Sequence, residues 1–312
     1  MSSGCDVGTV PGAGTVPGTW PRPILVVSAC LEFEACRYDG RRIPCDLLGR
    51  LVPHVTYRPI CPEVEIGLGV PRDPIQLVDV RGRAALIQPA TGRDLTSRME
   101  RFAERFLHTL GEVDGFLLKS RSPSCGLRGV RLHRGPRQTS AAAREATDPP
   151  THDLMGDRPP MYGSRIRGPR AGLFAQRVLE FCPDLAIEEE GRLSQARLRE
   201  HFLTKLFALA RLRRVAASGR AEELVGFHSA YRHLLLTYSP GHARALERLA
   251  AGVGDRRFRE TVDAYRGRFA RALRRPPRPG ALAEARERTA RLGAADPRDL
   301  ALLTPYPEDL MA

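Results

Sequence analysis

Ile24-Leu25-Val26-Val27-Ser28-Ala29-Cys30 decides how this 312-residue chain is read. An unbroken apolar run behind Pro23 has no polar alternation, which is the pattern of a strand covered on both faces in a parallel sheet. The pattern recurs twice. Val55-Thr56-Tyr57-Arg58-Pro59-Ile60 leads into Cys61, and Gly115-Phe116-Leu117-Leu118-Lys119-Ser120 leads through Arg121-Ser122-Pro123-Ser124 to Cys125. In open α/β sheets, ligands bind beyond the carboxyl ends of the strands. Three thiols delivered to one such edge can hold a metal or cluster by three bonds and leave one position open.

Outward from these runs, the chain divides. Between residues 24 and 130 strand-like runs alternate with helical patterns. The clearest helix spans 94–110, where Leu95, Met99, Phe102, Phe106 and Leu110 recur at helical spacing behind an acidic cap. Residues 134–163 are rich in Pro, Arg, Thr and Ala without periodicity, and read as a flexible insertion. After about residue 185 strand signals stop. Leu198, Phe202, Leu206, Leu209 and Leu212 mark a long amphipathic helix, and further helices are expected over 224–238, 243–250, 258–273 and 281–292. The expected fold is α/β: a Rossmann-like, mostly parallel sheet domain over 23–185, followed by an all-α domain over 186–312.

Composition narrows the class. A hydrophobic content of 42% and a mean hydropathy of −0.30 suit a soluble globular protein. No apolar stretch approaches the roughly 20 residues of a membrane helix, so no membrane partner is expected. Residues 1–22 lack a basic start and an apolar core, and so do not read as a secretory signal. They repeat Gly-Thr-Val-Pro-Gly at Gly8 and Gly14, which reads as a disordered tail with Cys5 incidental to it. Seven cysteines, an odd number, argue for reduced thiols and a cytoplasmic home. The net charge of +13 and pI near 10.1 attract polyanions. Lys119 and Lys205 are the only lysines. Coding composition would explain that preference for arginine, but not the net excess.

Cys30, Cys61 and Cys125 lack the tight C-x₂-C spacing of ferredoxins or zinc ribbons. By spacing alone, three ordinary buried thiols is the simpler reading. Their neighbours change it. Cys61-Pro62-Glu63 sets a carboxylate two residues after a thiol, and Ser120, Ser122 and Ser124 surround Cys125 with hydroxyls. A carboxylate and a hydroxyl beside an open metal position can activate water or shuttle a proton. A helix-start carboxylate and turn serines remain the plain alternatives. Cys36 and Cys45 are near enough to compete as ligands but read more simply as packing. Cys182, before Pro183, reads as a junction residue. Arg37, Asp39 and Arg121 can contact a nucleotide or simply be solvated. In the helical half, His228, Tyr231 and Arg232 share one helix face suited to stacking on RNA or to a domain interface. Arg211, Arg213, Arg214, Arg256, Arg257, Arg274, Arg275 and Arg278 are phosphate candidates.

Val27-Ser28-Ala29-Cys30-Leu31, Cys36-Arg37-Tyr38-Asp39-Gly40, Cys61-Pro62-Glu63-Val64 and Lys119-Ser120-Arg121-Ser122-Pro123-Ser124-Cys125-Gly126 resemble, in order, the signature blocks of the TudS-type thiouracil desulfidases. The likeness resumes at Gly172-Leu173-Phe174-Ala175 and Glu188-Glu189-Glu190-Gly191-Arg192-Leu193. In the helical half, Leu224-Val225-Gly226-Phe227-His228-Ser229 and Leu234-Leu235-Leu236 resemble the YbgA-like domain. Together the halves are similar to RudS-type thiouridine desulfidases. The resemblance implies a [4Fe-4S] cluster on Cys30, Cys61 and Cys125 with one iron open to a thiocarbonyl sulfur, Glu63 as base or proton shuttle, and Ser122 orienting water or substrate. It implies conversion of 4-thiouridine in tRNA to uridine, since gripping and flipping a base out of its stack suits a second, basic domain. Two alternatives stay open: a desulfidase of free 4-thiouracil or its nucleoside, and a cluster- or zinc-bearing RNA-binding or redox-sensing protein without turnover.

Overall fold

The structure, a computed structural model, describes residues 20–135, 163–166, 170–254, 257–291 and 300–310. The expected insertion lies almost wholly outside the described residues, as do most of the expected tail and Cys5. The chain runs β1 (Ile24–Ser28), α1 (Asp46–Leu51), β2 (Thr56–Ile60), α2 (Pro62–Glu65), β3 (Gln76–Val80), β4 (Arg83–Gln88), β5 (Arg93–Asp94), α3 (Thr96–Thr109) and β6 (Gly115–Leu118). It continues through β7 (Leu132–Arg134), β8 (Gly163–Ile166), α4 (Leu173–Phe181) and β9 (Ala186–Glu189). The helices α5 (Ala196–Ser218), α6 (Ala221–Tyr238), α7 (Pro240–Ala251), α8 (Phe258–Ala272), α9 (Ala281–Arg291) and α10 (Leu300–Leu303) follow.

Four strands form the parallel sheet in the order β2-β1-β6-β9. β1 pairs in parallel on both edges, with Val27 level with Pro59 of β2 and Leu117 of β6. The period-2 alternation of a strand splits its apolar residues between two layers. Val26, Phe116 and Leu118 pack against Met99, Phe102, Phe174 and Val178 of α3 and α4. Leu25, Val27 and Leu117 pack against Leu203, Leu206 and Phe207 of α5. That two-sided burial is why β1 and β6 read as continuous apolar runs; β2, expected to be buried like them, is an edge strand with none of its residues fully buried.

Three findings refine the expectation. β9 begins just after the expected junction at residue 185 and pairs with β6, so the sheet extends to Glu189. A second, mixed sheet, β5-β4-β3-β7-β8, stands beside the parallel one. It is nucleated by a hairpin whose turn residues, Arg81 and Gly82, both take positive φ (53° and 80°), the conformation that matches strand twist in two-residue hairpin turns. The far end of the expected tail is held in place. Trp20 meets Phe207 edge-on at 5.8 Å, Arg211 stacks 3.5 Å over its ring, and Arg22 donates to the Val52 and Val55 carbonyls.

Helix α5 belongs to both halves. Phe202, Leu203, Leu206 and Phe207 cover the parallel sheet, while Ala208, Leu212 and Val215 enter the core of α6 to α8. Asp114, at the start of β6, fixes the seam. Its carboxylate is 2% exposed, accepts from the Ile24 N–H at 2.8 Å, and pairs with Arg213 of α5 at 3.0 Å. Replacing Asp114 with Ala leaves a half-buried guanidinium with only the Arg22 carbonyl, and a strand N–H without its acceptor. This substitution should cost about 3 kcal/mol of stability, measured by urea unfolding. A loss below about 1 kcal/mol would rank the pair with ordinary surface ion pairs.

Candidate active site

Each site residue is delivered by a backbone feature. β1 ends at Ser28, whose hydroxyl accepts from the Lys119 N–H at 2.9 Å and ties the ends of β1 and β6 together. Cys30 follows. β2 ends at Ile60, and Cys61 is the N-cap of α2 with Pro62 at the first helical position, where a missing N–H costs nothing. The first turn of α2 then carries Glu63 beside the thiol. After β6 the chain turns sharply, with Arg121 in the left-handed region at φ 57°. Ser122 Oγ accepts from the N–H groups of Ser124 and Cys125 at 3.2 and 3.1 Å, which closes the turn. The start of α4 docks on that turn: the N–H groups of Leu173 and Ala175 donate to the carbonyls of Pro123 and Ser124. The docking is close enough that a Cβ at Gly172 would lie 2.5 Å from the Ser124 carbonyl. Glycine is required there.

Cys30, Cys61 and Cys125 line one cavity of about 570 Å³ together with Glu63 and Ser122. The five residues singled out from the sequence are therefore brought together. Glu63 is held from two directions. Arg72, its side chain 4% exposed, donates through Nε and Nη2 to Oε2 at 3.0 and 2.7 Å. Its Nη1 is anchored on the carbonyls of Cys36 and Gly69. Ser124 donates to Oε1 at 2.6 Å, and Ser122 Oγ lies 2.9 Å from Ser124 Oγ. Because Ser124 donates to Glu63, the hydrogen between the two serines comes from Ser122. The bonds form a directed line, Ser122 to Ser124 to Glu63. At another wall, Glu190 accepts from Lys119 Nζ and from the N–H and hydroxyl of Ser120.

Burial and negative neighbours keep two of the three thiols protonated in the absence of a cation. Burial pushes the Cys30 thiol up to about 12, and neighbouring Cys61 adds to the rise. Burial, then the charges of Glu63, Cys30 and Cys61, hold Cys125 well above the ordinary thiol range. Left alone, these thiols stay protonated. A bound cationic centre reverses that balance and deprotonates its ligands. Among the described residues no three His, Cys, Asp or Glu side chains close on a single ion. Thiols spread around a cavity suit a multinuclear cluster, each iron taking one thiolate, better than a lone zinc.

Several residues fall differently from expectation. Cys36, read as packing, is buried yet lines the cavity beside Cys61. Cys45 and Cys182 stay outside it, packed against the two cores flanking the sheet. Arg37, Tyr38 and Arg121 reach the cavity wall, while Asp39 is engaged by Arg37 and Arg41. Arg72 and Glu190 were not anticipated. Neither carries a motif of its own, and the only signal for Glu190 was its place in the Glu188–Glu190 block. The proposed RNA-stacking face is interior: Tyr231 is 1% exposed and stacked on Phe227 at 4.3 Å, and buried His228 bonds Tyr265 at 2.9 Å. Among the phosphate candidates, Arg213 is committed to Asp114, Arg274 pairs with Asp184 and Arg278 with Glu284. Arg256 lies outside the described residues.

Residues 25–190 match the family described as 2-thiouracil desulfurase. The chain is 32% identical over 110 residues to the uncharacterized protein YbbK of Bacillus subtilis (strain 168), a match covering 33% of this chain and 73% of that protein. A solved structure titled [4Fe-4S]-dependent thiouracil desulfidase TudS aligns at 23% identity over 57% of this chain and 97% of its own, with a TM-score of 0.37. The family match ends at residue 190, so helices α5 to α10 lie beyond it.

Cys61 offers a direct check on the cavity. The neighbouring Cys36 side chain holds the Cys61 thiol below the ordinary range, against the effect of burial. In metal-free protein, alkylation of Cys61 should therefore set in at lower pH than that of Cys30 and Cys125. Cys36→Ala should move that onset to higher pH. Peptide mapping by mass spectrometry after iodoacetamide at pH 6 to 9 reads both effects.

Proposed function

The chain belongs to the 2-thiouracil desulfurase family, and on that premise we propose that it is an iron–sulfur desulfidase acting on 4-thiouridine in tRNA. The observation that carries the reading is the meeting of three thiols, from three separate strand ends, with a carboxylate–serine line in one cavity. Cys30, Cys61 and Cys125 would hold a [4Fe-4S] cluster, which supplies when bound a soft Lewis-acidic iron suited to a thiocarbonyl sulfur.

The chain's own groups manage water and protons. Overall, C=S and H₂O become C=O and H₂S, with no electrons gained or lost. Ser122, half-buried at the cavity wall, orients the attacking water once that water takes the place of one of the two backbone N–H groups bonded to its oxygen. Its proton passes along Ser122 and Ser124 to Glu63, whose carboxylate Arg72 keeps turned toward Ser124. The reverse path returns a proton to the departing sulfur. Positioned general bases of this kind contribute about 10²–10⁴-fold. The reading of tRNA as substrate draws on the net charge of +13 and on a helical half whose sequence resembles the YbgA-like domain. A reducing compartment such as the cytoplasm suits free thiols. No helix among the described residues is long and apolar enough to cross a membrane.

Anaerobic purification tests the whole reading. A brown protein with about four iron and four sulfide per chain, which removes the near-ultraviolet absorbance of thiolated tRNA, is the expected result. Turnover confined to free 4-thiouracil or its nucleoside would move the substrate to the small molecule. A cluster without turnover would leave a binding or sensing protein. Cys125→Ala should lose iron and activity together. Glu63→Gln should retain iron and lose about 10²-fold or more in kcat. Ser122→Ala should fall in the same direction, and near-normal rates would take Ser122 out of the proton line.

A further inference from the structure

A second cavity, of about 470 Å³, opens between the start of α5 and the 277–286 segment, and shares no lining residue with the thiol cavity. Four guanidiniums face it: Arg197, Arg199, Arg278 and Arg286. Two are neutralised locally, Arg286 by Glu200 at 2.6 Å and Arg278 by Glu284. Arg197 and Arg199 have no carboxylate partner among the described residues. Their bonds run to backbone carbonyls, Arg197 Nη1 to Pro277 at 2.9 Å and Arg199 Nη1 to Leu193 at 3.1 Å. Each is thereby held in place at one nitrogen while its positive charge stays uncompensated. Both also sit in the first turn of α5, where the helix dipole disfavours cations. Local packing gives no reason for two cations there. An anion would.

We infer that this cavity binds phosphate groups of the RNA backbone, a second grip beside the thiol cavity; the inference rests on the reading of tRNA as substrate. Three observations choose that occupant. The cavity falls in the range of small-group binding sites, and its uncompensated charge is wholly positive. A guanidinium pinned at one nitrogen still offers N–H donors in the fork geometry that suits phosphate oxygens. The third observation is proximity. Gly191 lines the thiol cavity and Ala196 the second one. Five residues of chain span at most about 18 Å, and stacked nucleotides advance about 3.4 Å each. A strand with its modified base in the first cavity reaches the second within about five nucleotides.

The test uses the full-length protein and an Arg197→Gln/Arg199→Gln double variant, neither residue being part of the thiol cavity. Circular dichroism and turnover of free 4-thiouracil should stay at the wild-type level, which establishes folding and an intact reaction centre. Binding of tRNA should weaken about tenfold or more, and the slope of log K against log salt should flatten by roughly 1.5–2, the worth of two phosphate contacts. Unchanged tRNA affinity and slope would overturn the inference. So would a variant that loses calorimetric binding of pyrophosphate but keeps its tRNA affinity, since the site would then serve a small phosphorylated molecule. Wild-type protein that desulfidates free base but neither binds nor converts thiolated tRNA would overturn the tRNA reading itself.

Discussion

A strand paired in parallel on both edges sends its own carboxyl end and those of both neighbours to the same side of the sheet. β1 is such a strand, flanked by β2 and β6. The residues that leave these three ends are Cys30, Cys61 and the turn carrying Cys125. Convergence of thiols far apart in sequence is thus a consequence of topology. The crevice forms at β1 because the chain crosses to β2 on one side and to β6 on the other, the place where open α/β sheets gather their ligands.

Around that crevice the polar groups are arranged so that each buried donor or acceptor has a partner. Arg72 directs four N–H bonds to Glu63, Cys36 and Gly69, and so ties its own segment to α2 and to the loop after β1. The consequence for Glu63 is directional. With Oε2 occupied by Arg72, the other oxygen is left to Ser124, and the line to Ser122 has only one sense. Thiols and carboxylate in one partly desolvated space would repel if all were ionised together. The thiol sites respond by holding their protons, Cys61 excepted because neighbouring Cys36 lowers it.

The helical half is joined to this centre by more than a linker. α5 is buried on two sides, against the parallel sheet and against α6 to α8, and Asp114–Arg213 pins its C-terminal third to the start of β6. Two-sided burial also explains why His228 and Tyr231 misled. A shared helix face marks an exposed binding stripe only when nothing else covers it. On α6 that face meets Tyr265 and Phe269 of α8, and the sequence of α6 cannot say so.

Local pattern carried a good deal. The apolar runs located β1, β2 and β6, helical periodicity located α3 and α5 to α8, and the residues beside each cysteine marked Glu63 and the serine turn. These are short-range properties, written within a few residues by burial and turn chemistry. The mixed sheet was obscure because β5 and β7 are only two and three residues long and β7 pairs with strands distant in sequence, β3 and β8. Arg72 and Glu190 were silent because an ion pair's meaning depends on what stands opposite, and that is set only when distant loops meet. Sequence alone determined which side chains could do sulfur chemistry. Tertiary structure decided that they share one cavity, since only the parallel pairing of β1 on both edges brings their strand ends together.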